Sequence, residues 1–419
     1  MKRLKVIEDA PAARSSRVAL ISLTTFCNAR CRFCCVLDIL NRPELNPEDE
    51  AIFARIAAAR AEGCTTLGFT GGEPTVHPRF AEFCRRGREL GFASITINTN
   101  GIKFKSARWT EEVLAAGLTH IDFSIHGDDA ALHDAMMDRE GAFDAFKRGM
   151  EHLRALRERY PVVLGATTVV TERNALRLPK IAEMLLDEGI RSLRFKHCFE
   201  GGDGADVALV GRYTEQMPAV REAVRLARRR GAGVQVTHFP LCMLDDELLF
   251  ASDLMDESVL SIDRDGTVLM EGRVSNYRRA GATACDGCAF AQVCTRLDHR
   301  YVAAHGESEL RPVHGEGALS RVIDRAQRQY PGEPCRGTAK KFLAARRASL
   351  AGGAASTQEE STMSSDRSAA AEQHRVHQSD LSRAGGQLAA RLRDGEARRA
   401  HAHGAPVPPG LPQRPPVGL

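Results

Sequence analysis

Three cysteines near the start of the chain have a spacing typical of iron–sulfur ligands. Cys27, Cys31 and Cys34 form a C-x3-C-x2-C pattern directly after an apolar run. Thiolate is the usual external ligand of a four-iron cluster, which takes one per iron. Three thiolates from one tight loop would leave the fourth iron open to a small chelating ligand, as catalytic metals require. The alternative is a zinc site or a run of buried cysteines, and Cys35 is badly placed to supply zinc with its fourth ligand.

A second set of thiols further along the chain could hold another metal. Cys242 is followed by Cys285, Cys288 and Cys294. The C-x2-C pair fits two ligands of one metal or of one cluster. The segment 258–271 between the separated cysteines carries an Asp-Gly turn signal that predicts a hairpin. Four thiolates match a closed iron–sulfur cluster, and the same four would also serve a structural zinc ion.

Three further motifs follow predicted strands and carry residues suited to ligand binding. They are TGGEP at 70–74, NTNG at 98–101 and DFSIHG at 122–127. Gly71 and Gly72 permit a close approach of the backbone to a ligand and conformations closed to other residues. The competing interpretation of the two glycines is a plain tight turn.

Together with the cysteine loop, these motifs resemble those of the radical S-adenosylmethionine (radical SAM) enzymes. The resemblance covers roughly residues 17–200 and includes Phe33, which precedes the last cysteine of the loop. It implies a [4Fe-4S] cluster held by the loop and S-adenosylmethionine (SAM) as a second cofactor. It also implies an external electron donor of the flavodoxin or ferredoxin type.

The family resemblance assigns roles to particular residues. Gly71, Gly72 and Glu73 would contact the amino group of SAM, with Glu73 either helping directly or bracing the loop. Thr99 and Ser124 resemble positions that hydrogen-bond the ribose or the carboxylate, although ordinary polar residues at strand ends remain the alternative. The chemistry implied is reductive cleavage of SAM to a 5′-deoxyadenosyl radical, which removes a hydrogen atom from a substrate while the protein supplies orientation and excludes water.

The second cysteine set resembles the auxiliary-cluster domains, called twitch or SPASM, that follow many radical SAM barrels. Most SPASM domains hold two clusters and use more cysteines than this segment offers. One auxiliary [4Fe-4S] cluster of the twitch type is therefore expected. Three other residues have undetermined roles: His126 and Cys198 near the expected cavity, and Cys335 as an alternative ligand.

The elements that position these residues alternate regularly between short β-rich runs and longer helical stretches. Glycines close several of the helical stretches, as expected at helix C-termini. The predicted strands are 18–25, 66–70, 94–99, 120–125, 162–170 and 192–197. The predicted helices are 47–61, 78–90, 109–116, 143–158, 175–188 and 213–230. Six strand–helix units in a row predict a parallel α/β sheet, and the motifs at the strand ends favour a partial (β/α)6 TIM-type barrel.

The chain divides by composition into four predicted parts. Residues 1–16 form an N-terminal extension and residues 17–234 the barrel. Residues 235–336 are richer in Gly, Asp and Cys and form the auxiliary-cluster domain. Residues 337–419 have few aromatic residues and no sustained apolar periodicity, which predicts a mostly disordered tail.

Composition and charge exclude several broad classes of protein. The 419 residues are 43% hydrophobic and 27% charged, with a formal net charge of +4, so neither a collagen-like chain nor a nucleic-acid-binding protein is indicated. The sequence contains no run of 18 apolar residues, so it predicts no membrane span, and the first residues lack a secretory signal. Clustered thiols without such a signal favour metal ligation in a reducing compartment, so a cytoplasmic location is expected.

The sequence leaves the substrate open between two classes. One is a peptide or protein side chain, as in maturases of ribosomally made natural products, or a natural-product intermediate. The other is a small sugar or alcohol that is oxidised with the auxiliary cluster accepting an electron. Only about 16 residues precede the first strand, too few for a leading recognition domain, which weakens the peptide case. A non-catalytic iron–sulfur or zinc protein is the alternative from another class.

Overall fold

The structure is a computed structural model, and it describes most of the barrel segment and parts of the segment after the barrel. The chain divides into two units, residues 1–344 and 345–419, and every described residue belongs to the first. The described residues are 18–34, 36–198, 207–244, 248, 259–262, 268–270, 279–280, 283–290, 294, 297–315, 317 and 321. The predictions for 1–16, Cys35, Cys335 and the tail 337–419 lie outside these residues.

Seven parallel strands form the central sheet, with each strand beside the next one along the chain. The six predicted strands are all present, and a seventh, β7, adds one to the predicted number. The strands are β1 (Val18–Thr24), β2 (Thr66–Gly71), β3 (Ser94–Thr99), β4 (His120–Ser124), β5 (Val163–Val170), β6 (Ser192–His197) and β7 (Gly233–Thr237). The predicted α/β class is confirmed, and the open sheet is consistent with a partial TIM barrel.

A hairpin extends the sheet at its other edge. Strand β8 (Val259–Ile262) runs parallel to β1, with Val18 opposite Val259. Strand β9 (Val268–Met270) pairs antiparallel with β8, as the hairpin signal predicts. The residues of the turn itself lie outside the described part of the chain.

The helices that alternate with the parallel strands pack against one face of the sheet and bury its apolar side chains. Their bounds are α1 (Asp49–Ala61), α2 (Phe80–Glu89), α3 (Ala107–Ala116), α4 (Ala130–Met137), α5 (Ala142–Leu156), α6 (Leu178–Asp187), α7 (Tyr213–Arg229) and α8 (His299–His305). Gly117 ends α3 with a φ of 116°, a left-handed conformation that favours glycine. Ser106 begins the same helix, because its side chain accepts a hydrogen bond from the Trp109 backbone. Among the described helices, none is both long and apolar enough to cross a membrane.

Two elements of the barrel were not predicted. Helix α4 is only eight residues long, and its apolar residues form too short a pattern to indicate a helix. Strand β7 has five residues and pairs parallel with β6. The predicted end of the barrel at residue 234 falls inside this strand, because the regular alternation of strand and helix stops there. Beyond the barrel, a short antiparallel pair joins β10 (Arg279–Ala280) and β11 (Leu297–Asp298).

Candidate active site

The cysteine loop lies between β1 and α1, with all three of its thiols half-buried. Two hydrogen bonds shape the loop. The Cys27 amide donates to Asn41 Oδ1 at 3.0 Å, and the Cys34 amide donates to the Cys31 carbonyl at 3.0 Å. The second bond closes a turn between the last two cysteines. Cys31 and Cys34 therefore lie at the two ends of a single turn.

Buried neighbours hold the loop against the barrel. Ala29 and Phe33 are buried between the cysteines. The Arg30 amide donates to the carbonyl of Met137 at the end of α4, at 3.0 Å. The Met137 sulfur also lies 3.4 Å from Cys31 Sγ. Helix α4, which the sequence did not predict, therefore helps to position the cysteines.

Gly71 and Gly72 bring the chain close to the residues that lead into the cysteine loop. Gly71 has a φ of 133°, a region that favours glycine. A Cβ on Gly72 would lie 2.4 Å from the Phe26 carbonyl oxygen and 2.6 Å from that of Thr25. The Gly72 amide donates to the Thr24 carbonyl at 2.7 Å. Close contact with the backbone of residues 24–26 therefore requires glycine at both positions. This contact also means that the TGGEP segment lies directly beside the cysteine loop.

Glu73 is buried and its carboxylate receives four hydrogen bonds. Oε1 accepts from the Thr75 amide at 3.1 Å, the Thr75 hydroxyl at 2.6 Å and the Thr99 hydroxyl at 2.7 Å. Oε2 accepts from the Asn100 amide at 2.7 Å. A carboxylate has about four lone-pair sites over its two oxygens, so Oε2 retains capacity for another donor. The geometry matches the bracing role considered for Glu73, and it leaves Oε2 able to accept from a ligand.

Asn100 is a site residue that the sequence analysis missed. Its side-chain amide donates to Asn28 Oδ1 at 2.7 Å, and its backbone amide donates to Glu73. It therefore links the cysteine loop to the TGGEP segment. The sequence did contain a signal for Asn100, because this residue belongs to the NTNG motif. The residue predicted from that motif is Thr99, whose hydroxyl is engaged by Glu73 and by the Gly101 amide.

Burial and mutual repulsion govern the charges of the loop thiols. The pKa of Cys27 is raised to about 11, chiefly by burial and in smaller part by the nearby Glu73 carboxylate. Burial also raises the pKa of Cys31, with added contributions from Cys34 and Cys27. Cys31 is therefore close enough to both other thiols for their charges to raise its pKa. The raised pKa values favour the neutral thiols when no metal is bound. A bound cation favours the thiolates instead, because it stabilises the ligands that carry negative charge.

We expect replacement of Glu73 by Gln to lower the free energy of unfolding by about 2–3 kcal/mol. All four partners are donors, so the new NH2 group would face at least one N–H or O–H. The measurement is urea unfolding of the wild type and the variant. Glu151→Gln on the exposed face of α5 is the matched control, and its effect should stay within about 0.5 kcal/mol. Equal effects of the two substitutions would contradict the bracing role.

Ser124 and His126 lie at the carboxyl end of β4. Ser124 is half-buried on the open face of the sheet, and its register partner on β5 is Thr167. His126 is buried, and its Nδ1 accepts from the Val169 amide at 3.2 Å, which leaves the proton on Nε2. Burial lowers the pKa of His126 well below its usual value, so the ring is neutral. The ring meets Phe33 edge-on at 4.6 Å and so touches the cysteine loop as well.

The comparisons with known proteins agree with this geometry. Residues 21–185 match the family profile described as the Radical SAM superfamily. These residues form a radical SAM domain. The match begins within β1 and ends within α6, so it contains the cysteine loop and all three strand-end motifs.

Curated relatives of the radical SAM domain have varied names. Fe-coproporphyrin III synthase of Methanosarcina barkeri is 28% identical over 228 residues, 53% of this chain and 53% of that protein. A probable GTP 3′,8-cyclase of Sulfurisphaera tokodaii is 24% identical, over 51% of this chain and 64% of that protein. The chain thus spans between about half and two thirds of the length of these relatives.

Solved structures share the fold of the radical SAM domain at low sequence identity. Streptococcus suis SuiB bound to the precursor peptide SuiA is 14% identical, with a TM-score of 0.50, and 73% of this chain and 76% of that chain are covered. The enzyme anSMEcpe with bound AdoMet and the Kp18Cys peptide is 16% identical with a TM-score of 0.50. Coverage is 74% of this chain and 99% of that one. These likenesses concern the fold alone.

The second cysteine set lies beyond the radical SAM domain, and all four of its thiols are half-buried. Burial raises the pKa of Cys242 to about 11, with added contributions from Cys294, Cys288 and Cys285. The Leu241 amide donates to Cys294 Sγ at 3.3 Å, and the Cys288 amide donates to the Cys285 carbonyl at 3.1 Å. The structure therefore brings Cys242 close to the other three cysteines, which lie in a separate segment of the sequence.

Neither cysteine set is gathered around a single point. Within the described part of the chain, no three His, Cys, Asp or Glu side chains converge closely enough to hold one metal ion. A tetrahedral zinc site needs its thiolates within about 2.3 Å of one ion. A four-iron cluster is a larger body that takes one thiolate on each iron.

His197 and Cys198 lie at the end of β6, away from the cysteine loop. Both are buried, and His197 packs against Tyr213 with ring centroids 4.4 Å apart and against Phe239 at 5.1 Å. Burial lowers the pKa of His197 to about 3. The His197 ring is on the helix-packed face of the sheet, which fits a buried structural histidine.

Proposed function

We propose that this protein is a radical SAM enzyme that reductively cleaves SAM and removes a hydrogen atom from a substrate. The observation that carries the proposal is the assembly of three half-buried thiols beside the TGGEP and NTNG segments. The likeness of residues 21–185 to the Radical SAM superfamily supports it. That family implies SAM and a [4Fe-4S] cluster.

The donor set fits the implied cluster. Cys27, Cys31 and Cys34 are soft thiolate ligands of the kind that iron–sulfur clusters take, and three of them leave one iron without a protein ligand. When bound, the cluster and SAM would supply a 5′-deoxyadenosyl radical. The residues of this chain would hold the two cofactors in contact and exclude water from them.

We propose Gly71, Gly72, Glu73, Thr99 and Ser124 as the residues that hold SAM. Glu73 Oε2 would accept from the amino group of SAM, since one acceptor site on this oxygen is left over. Gly71 and Gly72 would bring the backbone within reach of the same group. Thr99 and Ser124 would lie beside the ribose and the carboxylate of SAM. The hydroxyl of Thr99 is already bonded to Glu73, so Thr99 would orient the carboxylate as well.

The substrate is proposed to be a peptide side chain or a natural-product intermediate. Two proteins of the same fold, SuiB and anSMEcpe, have peptides bound in their solved structures. The curated relatives include a GTP cyclase and a coproporphyrin synthase, by their names. Oxidation of a small sugar or alcohol is the second candidate. We propose a cytoplasmic location and an electron donor of the flavodoxin or ferredoxin type.

An auxiliary [4Fe-4S] cluster is proposed at Cys242, Cys285, Cys288 and Cys294. The mutual effect of their charges supports it, since the other three all act on Cys242. A cluster with a protein ligand on every iron has no open position, so its role would be to pass an electron to or from the substrate. The residues 235–336 that carry it are proposed as a twitch-type domain after the barrel. A structural zinc ion is the alternative occupant.

The binding of SAM to the cluster site tests this function. The EPR spectrum of the reconstituted, reduced protein should change when SAM is added, because the amino acid part of SAM would bind the open iron. Adenosine, which lacks that part, is the matched control and should leave the spectrum unchanged. An unchanged spectrum at saturating SAM would contradict the proposal.

A further inference from the structure

Polar contacts along its whole length fix helix α4 in the barrel. Asp129, just before the helix, pairs with Arg177 at 2.8 Å. The fully buried His133, in the middle of the helix, accepts through Nδ1 from the His126 amide at 3.2 Å. Asp134 accepts two backbone hydrogen bonds at the start of α5. These contacts set the position of the last residue of the helix.

That last residue, Met137, touches the cysteine loop with both its backbone and its side chain. Its carbonyl accepts from the Arg30 amide at 3.0 Å. The last carbonyls of a helix have no partner within the helix, so the loop satisfies one of them. The Met137 side chain is buried, and its Sδ lies 3.4 Å from Cys31 Sγ. This distance leaves no room for a water molecule between the two sulfurs.

The side chains packed around Met137 are apolar. Met137 belongs to a small buried cluster that Cys27 and Cys31 border, and its other members are Ala29, Ile102, Ala142 and Ala145. Alanine and isoleucine side chains have no hydrogen-bond donor, and a thioether sulfur is only a weak acceptor. The side chains of this cluster therefore offer no hydrogen-bond donor to the Cys31 sulfur.

We propose that Met137 is a positioning residue that covers Cys31 and so keeps the reduction potential of the loop cluster low. Reduction by one electron makes a cluster and its thiolates more negative. Hydrogen bonds to the sulfurs and exposure to water therefore favour the reduced form and raise the potential. Met137 occupies a place from which water would otherwise donate to Cys31. A lower potential makes the reduced cluster a stronger donor of its electron to SAM.

This inference rests on the proposed function, because it requires an iron–sulfur cluster at Cys27, Cys31 and Cys34. It extends that function by giving helix α4 a part in the redox chemistry. Met137 acts through Cys31, since its thioether contacts that thiol. The role requires an apolar side chain of this length and no particular chemistry of the methionine sulfur.

A redox titration of the full-length, reconstituted protein, followed by EPR, tests this role. The signal that changes when SAM is added reports the loop cluster. Met137→Ala should shift its midpoint potential to more positive values, because water reaches Cys31. Met137→Gln should shift it in the same direction, because the new amide is a donor. Met137→Leu, which keeps an apolar side chain of similar size, should restore the wild-type potential.

The matched control is Met217→Ala, which removes a buried methionine of α7 and should leave the potential unchanged. Iron content and circular dichroism verify that each variant is folded and loaded. Equal potentials of the wild type, Met137→Ala and Met137→Gln would overturn the inference.

Labelling of the cluster-free, full-length protein with iodoacetamide tests the cover on Cys31 separately. Met137→Ala should label Cys31 several-fold faster than the wild type does, measured by peptide mass spectrometry against Cys288, and Met217→Ala should not. An unchanged rate at Cys31 in Met137→Ala would also overturn the inference. A wild type without a SAM-responsive EPR signal would contradict the proposed function and with it the effect on the potential, while the labelling would still decide whether Met137 covers Cys31.

Discussion

A protein in which Cys27, Cys31 and Cys34 are all replaced by Ala should form no detectable 5′-deoxyadenosine from SAM. The three thiols are the whole ligand set proposed for the open cluster, and no weaker donor replaces them in the loop. The wild type should contain about eight irons, as expected for two four-iron clusters, and the variant about four. Iron analysis and chromatography of the reaction products provide the measurements.

The control for this variant removes a thiol outside the loop. Cys84 is buried in α2, within the helix-packed core. Cys84→Ala should keep the iron content and the rate of SAM cleavage. Formation of 5′-deoxyadenosine by the triple variant at the wild-type rate would show that the cofactor site lies elsewhere.

Replacing Cys285 and Cys288 by Ala should affect product formation more than SAM cleavage. The loss of two thiolates opens the proposed auxiliary cluster, so iron should fall from about eight to about four per chain. The radical SAM domain keeps its own three cysteines, so some uncoupled 5′-deoxyadenosine should still form. Product should be lost, because the electron that the auxiliary cluster would carry has no other route.

Metal analysis of the wild type distinguishes the two possible occupants of the second cysteine set. One tightly held zinc with about four irons would identify a structural zinc site and would remove the electron-transfer role. Cys64→Ala is a suitable control, because Cys64 is fully buried before β2. It should change neither metal.

The strand–helix order of the barrel was predictable because local signals agreed with one another. Each predicted strand is a short β-rich run, and glycines such as Gly117 mark the helix ends. The sequence patterns of helix α4 and strand β7 are weaker than those of the predicted elements. The helix has a single short apolar pattern, and the strand follows a long helix without being followed by another. Their positions depend on contacts of Met137 with the cysteine loop and of β7 with β6, which join residues distant in sequence.

The types of residue at the candidate site were predictable, but their partners were not. The motifs placed Cys27, Glu73 and Thr99 near one another through the rule that parallel strands share a carboxyl edge. Two of the four hydrogen bonds to Glu73 come from Thr99 and the Asn100 amide, 26 and 27 positions away, and no local pattern specifies them. For the same reason, the sequence offered two roles for Gly72. The structure shows that close contact with Phe26 requires a glycine there.

The lining of the open face is the part of the barrel that motifs described least. Lys196 and Thr237 belong to no motif, and they are brought together only by the pairing of β6 with β7. A resemblance carried by the loops therefore implies a reaction class and leaves the substrate open.

Reductive cleavage of SAM by the wild-type protein tests the central claim most directly. The protein is reconstituted with iron and sulfide without oxygen, reduced with dithionite and incubated with SAM. We predict 5′-deoxyadenosine and methionine in equal amounts. Intact SAM after incubation, in a protein that holds its full complement of iron, would contradict the account.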